Sequence, residues 1–177
     1  MPNGQDFRNI GLIHFNITNE LYPLLCLTSL AELGSLDTQR KEIESWFKSA
    51  LISEEGFYDF REDRALAVDF LDVLLDLLDL AHVIETSDTS QDLSALSSLA
   101  SCSPVADQRE YIEQWFEAGM TNPKLKERYT RPEQRAKAFD LKNELTVAVE
   151  MAHFWVAQTP ASRRSYLKQF FYRHSKP

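Results

Sequence analysis

A chain of 177 residues, 44% hydrophobic and 26% charged, can bury one core of ordinary size and is too apolar to be disordered throughout. Its net charge of −8 disfavours a nucleic-acid partner and favours a basic protein. Five Gly and seven Pro, thinly spread, speak against a turn-rich β architecture; Cys26 and Cys102, the only cysteines, form no CxxC and have no zinc-finger companions.

Residues 1–19 form an N-terminal segment without a basic stretch leading into a long apolar run, so no signal peptide is expected. No apolar run approaches the roughly 18–20 residues that span a bilayer. The expectation is a cytoplasmic protein with no membrane span. Ile10–Ile17 (IGLIHFNI) fits either a helix capping the bundle or a short extended piece, the helix being the favoured reading.

Residues 20–87 read as three helices. The first is short, with Leu27, Leu30 and Leu33 three apart. The second opens near Asp37, a residue suited to an N-cap, and carries Ile43, Trp46, Phe47 and Ala50 at helical spacing. The third is long, from Arg61 to about Glu85. Ser87–Ser94 (SDTSQDLS) is polar and linker-like.

Residues 88–158 then repeat the plan. QRKEIESWF (Gln39–Phe47) returns as QREYIEQWF (Gln108–Phe116), with six of nine positions identical. LTSLAELGS (Leu27–Ser35) is echoed by LSALSSLAS (Leu93–Ser101). Arg64, Ala65, Ala67 and Asp69 match Arg135, Ala136, Ala138 and Asp140, and DLAH (Asp79–His82) matches EMAH (Glu150–His153). Four blocks in one order indicate duplication, with insertions falling between the blocks. The second unit's middle helix opens near Asp107 and carries Ile112, Trp115, Phe116 and Met120. Its long helix starts at Pro132 and runs to about Gln158; Thr159-Pro160 marks a stop and a new start. Residues 159–177 hold Arg163, Arg164, Lys168, Arg173 and Lys176 and no acid. This basic C-terminal helix is expected to dock its positive side on the acidic body. The predicted fold is therefore all-α: one compact bundle of six or seven helices, built from two tandem three-helix repeats of about 70 residues with pseudo-twofold character.

The sharpest chemical pattern is the repeated acid-x-x-His. Carboxylate-bridged di-metal bundles, ferritin-like in plan, use a Glu from each of two helices and Glu-x-x-His from the other two. Glu44, Glu113, Asp79, His82, Glu150 and His153 complete that inventory and would hold two iron or manganese ions. Helical geometry opposes the reading, because Asp79 falls nearly opposite the face formed by Phe70, Val73, Leu74, Leu77 and Ala81, and Glu150 likewise points away from Leu141, Leu145, Ala148 and Ala152. The simpler expectation is local acid–His pairs that help close each helix, with no cofactor. Arg64 and Arg135 are expected to make interhelical ion pairs with Asp69 and Asp140. No G-x-S-x-G, P-loop or Gly-rich phosphate cradle is present.

Asp69, Asp72, Asp76 and Asp79 line one face of the first long helix, spaced 3, 4 and 3. Like charges at this spacing cost a few tenths of a kcal/mol per pair unless a basic partner compensates them. The second unit places Asn143 and Val147 where Asp72 and Asp76 stand. The expected function is a non-enzymatic, acidic protein-binding module, an inhibitor or immunity-type neutraliser of a basic protein. The alternatives are the di-metal protein and a helical adaptor that binds a peptide between its halves. Homodimerisation through residual apolar surface is compatible with the sequence.

Overall fold

The computed structural model describes residues 22–53, 58, 60–86 and 93–174. The N-terminal segment 1–19, with its expected helix at Ile10–Ile17, and most of the linker at 87–92 lie outside the described residues. Among the described residues there are seven helices and no strand: α1 (Tyr22–Glu32), α2 (Leu36–Leu51), α3 (Arg61–Thr86), α4 (Ser94–Cys102), α5 (Val105–Thr121), α6 (Pro132–Ala157) and α7 (Pro160–His174). None of them is long and apolar enough to cross a membrane.

Helix starts follow local chemistry, though not always at the expected residue. Ser35, rather than Asp37, caps α2: its Oγ accepts from the Thr38 amide at 3.3 Å. Asp37 and Asp107 instead sit in the first turns of α2 and α5, where a carboxylate opposes the positive end of the helix dipole. Pro104 occupies the N-cap position of α5. Pro132 opens α6 as expected, and Thr159 Oγ1 accepts from the Ser162 amide at 3.2 Å to open α7.

The most extensive helix contact is α2 across α5, the two helices that carry the repeated string. Short helices α1 and α4 each pack on both long helices, α3 and α6, while α2 lies on α3 and α5 on α6. The Trp-Phe dipeptides explain why α2 and α5 meet. Trp46 and Trp115 are 0% and 1% exposed. Trp46 stands edge-on to Phe116 at 5.3 Å, and Phe47 edge-on to Trp115 at 5.0 Å. Each buried aromatic contributes about 2–3 kcal/mol by transfer from water, with a further increment from the edge-to-face geometry. The crossing is close enough to require glycine: a Cβ on Gly119 would fall 2.3 Å from Trp46 Cδ1.

The expected apolar faces of the long helices are observed. Phe70, Leu74, Leu77 and Ala81 of α3 are buried, as are Leu141, Leu145, Ala148 and Ala152 of α6; Val73 is half-buried. α7 is attached differently from the expectation. Arg163 donates to the Val156 carbonyl at 2.5 Å and the Gln158 carbonyl at 3.1 Å and lies over the Trp155 ring, so it closes the end of α6. Among the described residues no ion pair joins α7 to the acidic body, and Arg164 and Lys168 are exposed.

Candidate functional site

The repeated Gln-Arg and the repeated acid-x-x-His turn out to be two sides of one joint. Gln39, buried on α2, donates through Nε2 to the Leu30 carbonyl in the last turn of α1 at 2.7 Å. Its Oε1 meets His82 Nε2 of α3 at 2.8 Å. Because the amide nitrogen is committed to a carbonyl, the imidazole Nε2 supplies the proton. Beside it, Arg40 forks onto Asp79, with Nε donating to Oδ1 at 3.1 Å and Nη2 to Oδ2.

The second string repeats these contacts. Gln108, fully buried, donates to the Leu99 carbonyl at 2.6 Å and the Ser103 carbonyl at 2.9 Å and meets His153 Nε2 at 3.1 Å. Arg109 pairs with Glu150 at 3.3 Å. The acid and the histidine of each motif are therefore both engaged by the neighbouring helix. Spaced i and i+3 on one helical face, they reach the neighbouring helix together.

This geometry gives each of the six expected metal ligands a partner of its own. Asp79 and Glu150 face arginines, His82 and His153 face glutamines, Glu44 pairs with Lys48 at 3.3 Å, and Glu113 pairs with Lys142 at 2.9 Å. The six are not brought together. Among the described residues, no group of three or more His, Cys, Asp or Glu is placed to hold a metal ion. The expected Arg64 and Arg135 pairs are also absent: among the described residues, no ion pair includes Arg64, Arg135, Asp69 or Asp140. Arg64 Nε donates instead to the Tyr58 carbonyl at 2.6 Å.

The acidic stripe on α3 divides into two kinds of carboxylate. Asp79 is half-buried and held by Arg40; Asp69, Asp72 and Asp76 are exposed and enter no ion pair among the described residues. The cysteines are poor nucleophiles. Burial, then Glu144, pushes Cys26 up to about 12, and burial, then Asp69, raises Cys102.

A cavity of about 170 Å³, unforeseen in the sequence, opens near the start of α3. Tyr58, Asp63, Asp107, Glu110, Tyr111 and Gln114 line it, and none of the six is basic. The Tyr58 and Tyr111 rings stand 6.3 Å apart, and Phe70 and Trp115 back the Tyr111 ring at 5.5 and 6.3 Å. Tyr58 Oη accepts from Trp115 Nε1 at 2.6 Å and faces Gln114 Oε1 at 3.5 Å; Gln114 Nε2 donates to Glu110 Oε1 at 2.9 Å. Burial above all pushes the Tyr58 hydroxyl up to about 12. Burial, followed by Asp107 and Asp63, raises that of Tyr111. One sequence signal did point here. The three positions at which the repeated strings differ are Lys41/Glu110, Glu42/Tyr111 and Ser45/Gln114, and all three in the second string line the cavity.

The chain matches no protein-family model, no curated protein and no solved structure, which leaves the chemistry of its own residues as the guide to its role.

Proposed function

We propose that the protein is a non-enzymatic binding module whose acidic α3 face holds a basic protein, acting as an inhibitor or immunity-type neutraliser. The observation that carries this reading is the exposed carboxylate row Asp69, Asp72 and Asp76, none of which enters an ion pair among the described residues, although Arg40 lies close enough for Asp76 to feel its charge. Such a row raises the folded state's energy slightly by self-repulsion, and a basic partner relieves it on binding. The scaffold beneath it is read as two three-helix units, residues 20–87 and 88–158, related by a pseudo-twofold. Support for that comes from the paired contacts Gln39–His82 and Gln108–His153, and Arg40–Asp79 and Arg109–Glu150. On this reading duplication preserved the joints and left the acidic row in one unit alone, since Asn143 and Val147 stand at the equivalent positions.

The test is a capture experiment with two baits, wild type and Asp72→Lys/Asp76→Lys, from the cells that produce the protein. The wild type is expected to retain a basic protein that the double variant loses. Identical retention by both baits counts against the reading. Iron or manganese at about two equivalents in protein purified without chelator would favour the di-metal alternative.

A further inference from the structure

We infer that the cavity lined by Tyr111 and the carboxylates of Asp63, Asp107 and Glu110 is an arginine-binding pocket, which seats one guanidinium of the basic partner near the start of α3. This rests on the protein-binding reading above and assigns it a point of specificity.

Size and chemistry point the same way. At about 170 Å³ the cavity is large enough for a side-chain end and below the range of whole-metabolite pockets. Its walls pair aromatic rings with the carboxylates of Asp63, Asp107 and Glu110. A planar cation is the ligand that uses both, lying against the half-buried Tyr111 ring while its N–H groups reach the acids. Asp63 and Asp107 enter no ion pair among the described residues.

An independent observation comes from the other end of the α2–α5 contact. There Trp46 Nε1 donates to Tyr129 Oη at 2.9 Å, as Trp115 does to Tyr58. Beside Tyr129 the chain seats an arginine of its own: Arg128 Nη1 donates to Glu42 Oε2 at 2.8 Å, and Tyr129 Oη donates to Glu42 Oε1. Tyr58 has no such neighbour in sequence, because Phe57 precedes it where Arg128 precedes Tyr129. The substitutions between the strings follow suit. Lys41, which pairs with Asp37, becomes Glu110, and Glu42 becomes Tyr111. Tyr129 thus shares the Glu42 carboxylate with an arginine of the chain, whereas at Tyr58 the Arg64 guanidinium reaches the backbone carbonyl and the cavity is lined by Asp63, Asp107 and Glu110 with Tyr111 added.

The experiment titrates full-length protein with labelled hexa-arginine and hexa-lysine peptides, read by fluorescence anisotropy. Wild type is expected to prefer hexa-arginine by about threefold or more, the scale of one guanidinium–aromatic contact. Tyr111→Leu and, at an exposed position where folding is not at stake, Asp107→Asn should abolish that preference while hexa-lysine binding changes little. Asp72→Asn/Asp76→Asn should weaken both peptides and leave the preference in place. Equal binding of the two peptides to wild type, or a preference that survives Asp107→Asn, overturns the pocket while leaving the α3 row standing. Failure of both peptides to bind overturns the row and the pocket together.

Discussion

Gly119 is a residue whose replacement the fold tolerates poorly. Alanine gains about 1 kcal/mol of helix propensity over glycine, but its methyl would sit 2.3 Å from Trp46 Cδ1 in the centre of the α2–α5 contact. Trp46 is fully buried and tied to Tyr129, so it has nowhere to yield. Overpacking wins: Gly119→Ala should destabilise by about 3 kcal/mol, read as a lower denaturant midpoint with an unchanged slope. His153 supplies a second test at this scale. Burial lowers its pKa below the usual 6.5. A base with a depressed folded-state pKa contributes stability that is complete above about pH 6.5 and lost as pH falls through the folded value. The stability advantage of wild type over His153→Gln should therefore shrink between pH 7.5 and 5.5; an advantage that grows on acidification would contradict the burial argument.

Among helices, the buried glutamine matters more than the salt bridge beside it. Gln108→Leu strands the imidazole of His153 and withdraws a donor from two carbonyls at the end of α4, a loss of about 2–4 kcal/mol. Arg109→Ala breaks only a solvent-screened pair, worth about 0.5 kcal/mol or less. Urea melts of the two variants should differ accordingly. The helices themselves were legible in the sequence: the spacing of Ile43, Trp46, Phe47 and Ala50 and the position of Pro132 gave α2 and α6 directly. Their joints were less so. Both halves of the Gln–His and Arg–acid contacts were visible as repeated motifs, but they meet across 39 to 45 residues, and periodicity carries no information about such pairings. The cavity was hidden for a related reason. Its walls come from Tyr58, three residues ahead of α3, from α3 and from α5, and only the mismatched positions of the string hinted at it.

At the scale of the molecule, two opposed charges are kept apart. The acidic row lies exposed on α3, while Arg163 secures the basic α7 to the end of α6 through carbonyls rather than through acids of the body. The three carboxylates Asp69, Asp72 and Asp76 stay exposed, as the proposed binding of a basic protein requires. The most direct measurement is the affinity of the captured basic protein for wild type and for Asp72→Lys/Asp76→Lys as salt is raised from about 50 to about 300 mM, where the Debye length shortens toward the spacing of neighbouring charges. The account predicts that wild-type affinity falls steeply with salt and that the double variant binds about tenfold or more weakly at the low end. An affinity that is flat with salt and equal in the two proteins would contradict it.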